Sequence, residues 1–284
     1  MSTQSLGSIE YVKKSIELNR HIWKDKDAKN IYNSSTDAEC AIKSEGEDLY
    51  IVFKYSDKHK DWEYNYKFFP KKINLDSNSC FKSVRIHRGH YLQYISILKE
   101  VKDEIFRLMS KNKYKNLIFT GFSLGGSLCQ IASWDFFTSQ DTYFDEQFSK
   151  KSTFTIDEGE IYRIDKLNPF YAYETHCYSF GSSNPGNKEF SRQFNKIHNV
   201  ERIVYNRDPI PILPPRFFGY SRTKNPILIR PNKEGYTFTK KNRSIFESGS
   251  ILFKMATKKV FKTKADDKSD HSLKKIEIAY KTNF

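Results

Sequence analysis

Apolar residues along the chain keep helical spacing in some segments and run unbroken in others. Ile9, Val12, Ile16 and Trp23 recur on one helix face, predicting a first amphipathic helix over residues 8 to 22. Cys40 to Lys43 and Leu49 to Lys54 flank the turn-like tetrad Ser44-Glu45-Gly46-Glu47 and read as a hairpin. Its second strand is almost wholly apolar, so it belongs deep in a sheet. Tyr91 to Met109 carries Tyr94, Ile95, Leu98, Val101, Ile105 and Leu108 on one face, which predicts a helix. Leu117-Ile118-Phe119 then reads as a strand and Ser127 to Phe137 as a helix. Further strands are expected at His176 to Phe180, Arg202 to Tyr205, Ile227 to Ile229 and Tyr236 to Thr239. Strands alternating with helices of this length imply an α/β fold, a mostly parallel central sheet with helices on both faces.

Two stretches break the pattern. Residues 138 to 172 are polar without clear period, and residues 240 to 268 are lysine-rich, so both are expected to be insertions in a single domain spanning 1–284. Within the second, Ile251 to Lys264 holds five lysines and no acid, interspersed with Leu252, Met255 and Val260. That pattern suits either a solvated face or a basic amphipathic helix lying on a membrane.

Between the strand at 117–119 and the helix at 127 stands Gly121-Phe122-Ser123-Leu124-Gly125. A serine that projects its hydroxyl from a strained strand-to-helix turn needs glycine two residues before and after it, because side chains there would clash. A serine hydroxyl is a weak nucleophile until a histidine takes its proton, and a carboxylate must orient that histidine. Asp208 is the best-placed acid, since it follows the apolar run Ile203-Val204-Tyr205 at the C-terminal end of a strand, where such folds gather their sites. Of the seven histidines, His271 lies after both Ser123 and Asp208. His176 and His198 also follow Ser123 but border strands and read as structural. Asp270 is next to His271, yet neighbours in sequence seldom face each other.

Charge and composition modify this picture only slightly. The formal charge of +14 suits an anionic surface, but Lys, Asn, Ile, Phe and Tyr are abundant together, as an AT-rich coding sequence gives without selection for binding. No nucleic-acid motif is present, so nucleic acid is not an expected partner. The four cysteines, Cys40, Cys80, Cys129 and Cys177, form no CxxC and no disulfide framework. The N-terminus lacks an apolar stretch of signal-peptide length, and no run is long enough to span a bilayer. These features predict a soluble, intracellular, cytoplasmic protein, with non-Sec release and membrane association left open.

Taken together, several ordered blocks resemble the class 3 (fungal lipase-like) lipases of the α/β-hydrolase superfamily. Phe122-Ser123-Leu124-Gly125-Gly126 is similar to that family's GHSLGG elbow, with Phe122 in the His position. VRIHRGHYLQY (84–94) resembles its VHxGFxxxY segment, and YSFGSSNPGNKEF (178–190) its TFGxPRxGNxxF segment. VYNRDPIPILPP (204–215) resembles the VNxxDxVPxLPP stretch carrying the catalytic Asp, and Asp270-His271-Ser272 the DHS carrying the catalytic His. The resemblance runs from about residue 40 to the C-terminus and implies an α/β-hydrolase fold with Ser123, Asp208 and His271 as catalytic residues. IVFKYSDKHKDW (51–62) is similar to VVxFRGTxSxxDW, which implies an oxyanion hole from the backbone N–H groups of Ser56 and Leu124. It further implies a lid over 57–70, with Trp62, Tyr66 and Phe69 on a substrate-facing side.

The implied function is a serine carboxylic-ester hydrolase acting on acyl lipids, of triacylglycerol lipase or phospholipase A1 type. No metal or organic cofactor is needed for that chemistry, and peripheral membrane contact through basic and aromatic surface is expected. Because a histidine base must start neutral, activity should fall on acidification. The departures motivate an alternative, a catalytically silent lipase-fold protein that binds lipid or a partner. Lys54-Tyr55 replaces Arg-Gly, Ser182-Ser183-Asn184 replaces Gln-Pro-Arg, and His90 replaces a Phe.

Overall fold

The protein's structure is a computed structural model that describes residues 3–56, 64–65, 67, 69–72, 83–138, 156–157, 160–161, 173–224, 226–240, 248, 250–251 and 270–284. Its first three strands, β1 (Lys29–Asn33), β2 (Ala38–Glu45) and β3 (Asp48–Phe53), form an antiparallel meander. From β3 the sheet continues through β6 (Asn116–Phe122), β9 (Glu174–Phe180), β10 (Asn199–Tyr205) and β11 (Ile227–Asn232), each parallel to the last. β12 (Gly235–Lys240) pairs antiparallel with β11, so among the described residues the sheet has eight strands in chain order. Two short pairs lie apart: β4 (Pro70–Lys72) with β5 (Arg85–His87), and β7 (Ile156–Asp157) with β8 (Glu160–Ile161).

The period-2 geometry of strands divides this sheet's side chains between two cores. Leu49, Ile51 and Phe53 of β3, with Leu117 and Phe119 of β6, point into one. Tyr50, Val52, Ile118 and Phe122 point into the other. Both faces are covered, which is why β3 and β6 read as unbroken apolar runs. Over the first face lie α2 (Arg88–Met109), α3 (Leu124–Thr138) and the short α4 (Lys188–Phe194). Over the second lie α1 (Thr3–His21) and α5 (Leu273–Asn283), contributing Val12, Ile16, Ile276 and Ala279. An Arg20–Glu277 ion pair joins these two helices.

The helix over 91–109 begins earlier than its apolar stripe, at Arg88, because His87 caps it by accepting from the His90 N–H at 3.3 Å. Its buried stripe is Tyr94, Ile97, Val101, Ile105 and Met109. Ile95, expected on that face, is instead 39% exposed, having rotated about 100° off the stripe centre. The proposed insertions at 138–172 and 240–268 and the basic segment 251–264 lie, apart from a few residues, outside the described residues. Among the described residues no helix is long and apolar enough to cross a membrane.

A buried hydrogen-bond relay pins α1 to the sheet. Asn19 Nδ2 donates to the Ser15 carbonyl at 2.8 Å and to Thr120 Oγ1 at 2.9 Å. Thr120 Oγ1 in turn donates to the Tyr178 carbonyl at 2.8 Å. Thr120→Val keeps the shape but removes the acceptor for a buried amide. It should cost about 1–3 kcal/mol, read as a lower urea midpoint with an unchanged denaturant slope.

Candidate active site

Parallel order places the C-terminal ends of β6, β9 and β10 along one rim of the sheet, and three side chains meet there. Ser123 occupies the turn between β6 and α3 with φ +57, a left-handed backbone unusual for a residue with a Cβ. Its conformation is fixed from all sides. Ser123 N–H donates to the Phe180 carbonyl of β9 at 2.9 Å, and its own carbonyl accepts from Ser127 N–H at 3.3 Å. A Cβ on Gly121 would lie 2.1 Å from the Gly125 carbonyl oxygen, and one on Gly125 would lie 2.1 Å from that of Phe53. The glycines are therefore required because three strand ends and α3 pack backbone to backbone.

Asp208 sits just past β10, in a turn closed by its own N–H donating to the Tyr205 carbonyl at 3.0 Å. Its carboxylate is 1% exposed. Oδ1 accepts from Ile210 N–H at 3.0 Å, leaving Oδ2 to meet His271 Nδ1 at 2.9 Å. The other ring nitrogen, Nε2, is 2.8 Å from Ser123 Oγ. His271 is held from behind by α5, whose N-cap Ser272 accepts from Lys275 N–H. Hydroxyl, imidazole and carboxylate thus form one continuous hydrogen-bonded chain. Such a chain can draw a proton from the hydroxyl and stabilise the imidazolium that results.

Asp270 is turned away from the imidazole, its Oδ2 accepting from Asn206 Nδ2 at 3.1 Å. His176 is buried at the opposite end of β9, with Nε2 3.1 Å from Asn116 Oδ1, while His198 is exposed just before β10. Neither reaches the site. Leu124 is the first residue of α3, so its N–H lacks an intrahelical acceptor. Ser56 follows β3 at the same rim, and its Oγ accepts from Asn65 Nδ2 at 3.1 Å. Of the lid positions, Phe69 is 67% exposed, whereas Trp62 and Tyr66 lie outside the described residues.

Several supporting residues carry no local sequence signal. Gly181 has φ +53, and a Cβ there would lie 2.8 Å from Asp208 Oδ2 and 3.2 Å from the His271 ring. Phe122 stacks on His271 with centroids 4.6 Å apart at 23°, and Tyr55 meets Phe122 edge-on at 6.1 Å. Tyr55, standing where glycine was expected, therefore packs behind the elbow. Lys54 reaches Glu39 at 2.8 Å on the far side. Ser182, Ser183 and Asn184 are buried in a polar network: Gln130 Nε2 donates to Ser182 Oγ at 2.7 Å, and Asn184 Nδ2 to the Pro214 carbonyl at 3.1 Å. That network ties α3 to the proline-rich loop after Asp208.

A pair of imidazoles braces the Ser56 side. His87 and His90 are both buried and stack at 3.6 Å and 7°. His90 Nε2 lies 3.2 Å from Asn65 Oδ1, so Asn65 bridges His90 to Ser56. A Cβ on Gly89 would fall 1.8 Å from the Tyr64 carbonyl oxygen, which shows how closely this segment rests on the start of α2. Burial pushes the His87 imidazole down to about 3, and burial beside His87 holds His90 well below the usual histidine range.

The family description "Lipase (class 3)" matches residues 50–218. A secreted mono- and diacylglycerol lipase of Fusarium solani is 22% identical over 165 residues, which is 58% of this chain and 38% of that protein. The chain thus matches well under two thirds of that relative's length. The Rhizomucor miehei triacylglyceride lipase structure superposes with a TM-score of 0.57 at 19% identity, covering 89% of this chain and 91% of that one. A lipase from Rhizopus microsporus var. chinensis gives 0.59 at 17% identity, covering 89% and 84%. These likenesses show the α/β-hydrolase fold. The expectation of an intracellular, cytoplasmic protein is corrected by the Fusarium relative, which is a secreted lipase.

Two outcomes are expected. Both histidines are neutral in the fold and titrate near 6.5 when unfolded, so protons bind the unfolded chain first as pH falls. Stability should decline as pH falls below about 6.5, for His87 as far as about 3, and His90→Phe should lessen the slope just below about pH 6.5 by about 1.4 kcal/mol per pH unit in urea titrations. Gly181→Ala should displace the Asp208 carboxylate, lengthening its hydrogen bond to His271 in a crystal structure and slowing fluorophosphonate capture at Ser123 by about tenfold or more.

Proposed function

We propose that this chain, which belongs to the class 3 lipase family, hydrolyses the carboxylic esters of acyl lipids through an acyl-enzyme on Ser123. The observation that carries this reading is the unbroken line Ser123 Oγ–His271 Nε2 at 2.8 Å and His271 Nδ1–Asp208 Oδ2 at 2.9 Å. Ser123 Oγ attacks the ester carbonyl while His271 Nε2 takes its proton, and buried Asp208 holds the Nδ1–H and stabilises the imidazolium. The N–H groups of Leu124 and Ser56 receive the oxyanion, each donor worth about a hundredfold to a thousandfold in rate. Collapse expels the alcohol, which takes the proton from His271. A water, deprotonated by the same nitrogen, then attacks the acyl carbonyl and releases the fatty acid and the free Ser123 hydroxyl.

Glycerides are the favoured substrates, because the relatives' names specify mono-, di- and triacylglycerols for those proteins. A glycerophospholipid of the phospholipase A1 type is the second substrate reading, supported by the +14 charge, which attracts anionic lipid. Phe69 would line the acyl path, with Trp62 and Tyr66 as its lid companions. The silent-protein reading rests on Lys54-Tyr55. It is weakened by where these side chains go, Tyr55 against Phe122 and Lys54 against Glu39.

Incubation with a fluorophosphonate should label wild type but not Ser123→Ala. The same substitution should lower hydrolysis of a nitrophenyl ester by more than about a thousandfold. A wild-type chain that resists the probe and leaves the ester intact would return the silent reading. Across nitrophenyl esters of increasing chain length, rates should rise beyond acetate if an acyl path is present. A maximum at acetate would remove the lipid assignment while leaving an esterase.

A further inference from the structure

We propose that His90 is a positioning residue for the oxyanion side of the site, acting through Asn65 to keep the hydroxyl hydrogen of Ser56 free for the reacting oxygen. This deepens the acyl-enzyme reading, on which it rests, by naming what orients one of its oxyanion groups. His90 is 2% exposed, and burial beside His87 keeps its imidazole neutral, so the ring carries a single N–H. Among the described residues His90 Nδ1 has no hydrogen-bond partner. A hydrogen there would be a buried donor without an acceptor, which the neutral ring avoids by holding it on Nε2. Nε2 lies 3.2 Å from Asn65 Oδ1, an oxygen that can only accept. The amide therefore turns its oxygen to His90 and its Nδ2 to Ser56, donating to Oγ at 3.1 Å.

The backbone around Asn65 is fastened to the start of α2. His87 hydrogen-bonds the Asn65 backbone and stacks on the His90 ring. Gly89 N–H donates to the Lys67 carbonyl at 3.1 Å, and Lys67 N–H to the Tyr64 carbonyl at 3.1 Å. The amide plane of Asn65 remains to be set. Turning it over exchanges oxygen and nitrogen at nearly the same shape. Reversed, it would present an acceptor to Ser56 and capture the hydroxyl hydrogen. The His90 Nε2–H opposes that reversal, because Nδ2 facing it would set two donors against each other. A phenylalanine at this position, as in the family pattern, would leave the choice open.

A serine Oγ that accepts from Asn65 keeps its own hydrogen for another acceptor. The end of β3 reaches the first turn of α3, since a Cβ on Gly125 would lie 2.7 Å from the Lys54 carbonyl oxygen. Ser56, two residues on, thus belongs to the same corner as the Leu124 N–H. Its hydroxyl adds a third donor to the two backbone N–H groups. Charge grows on the ester oxygen only as the tetrahedral state forms, so orienting this donor raises kcat and leaves KM nearly unchanged.

The test is a double-mutant cycle between His90 and Ser56 in the full chain, read in nitrophenyl ester kinetics at about pH 8, above the ordinary histidine range. His90→Phe should lower kcat about tenfold with KM within about twofold. His90→Gln, whose amide can donate to Asn65 Oδ1, should stay within about threefold of wild type. In a Ser56→Ala chain the hydroxyl is gone, so His90→Phe should change kcat by less than about twofold. A urea midpoint for His90→Phe at or above that of wild type separates slowing from loss of fold, because the phenyl ring buries no unpartnered nitrogen. Turnover by His90→Phe at the wild-type rate overturns the positioning role. So do losses from His90→Phe and Ser56→Ala that multiply in the double variant. Wild type that leaves the ester intact overturns the hydrolase reading and this role with it, so the two failures are distinguishable.

Discussion

Everything at the rim of the sheet depends on one backbone conformation, the left-handed turn at Ser123. A residue with a Cβ at φ +57 costs about 1–2 kcal/mol against its ordinary conformations. The surrounding structure holds it by leaving no alternative. Phe180 accepts the Ser123 N–H, Gly121 lies beneath the Gly125 carbonyl, and Gly125 lies against the end of β3. These contacts exist only if β3, β6 and β9 are parallel neighbours in register. The same register brings Gly181 and Asp208 to the level of the hydroxyl, and α5 brings His271 from the opposite face. The burial of α3 from Leu124 to Phe136 follows from this arrangement, since a helix launched from such a turn runs between the sheet and α2.

Residues that depart from the family's motifs are absorbed by compensating contacts. Phe122 and Tyr55 stand where the family pattern has a histidine and a glycine, and together they form an aromatic column against the His271 ring. A ring face there restricts the imidazole's rotation. Ser182 to Asn184 exchange the family's bulkier triplet for a buried polar network that reaches Gln130 and the loop after Asp208. His90, in place of a phenylalanine, offers a ring nitrogen to Asn65 and so joins α2 to Ser56. Each exchange replaces one mode of fixing the site with another.

The sequence made legible whatever is encoded locally. The elbow announces itself because glycine, serine and glycine must stand at fixed spacing. Asp208 is marked by its place after an apolar run, and His271 by its order in the chain. The hairpin at 40–54 and the strand and helix flanking Ser123 follow from the pattern of apolar and turn residues. What stayed hidden are contacts between segments distant in sequence, which have no period: the stack of Phe122 on His271, the clearance that Gly181 provides, the His87–His90 pair. α2 starts earlier than its apolar stripe predicts because a histidine cap is an uncommon one, and Ile95 leaves the buried face because a stripe's edge cannot be told from its centre without the neighbouring helix. The intracellular expectation fails against the secreted Fusarium relative, because cysteine spacing does not record where a fold is used.

Acyl transfer to Ser123 is the claim that ties fold, site and proposed chemistry together. Rapid quench of wild type during nitrophenyl ester turnover, followed by peptide mass spectrometry, tests it most directly. An acyl group on the peptide carrying Ser123, formed and lost at rates that match turnover, is the expected result. Turnover with the acyl group on another residue, or with none on any peptide while Ser123→Ala keeps full activity, would contradict it.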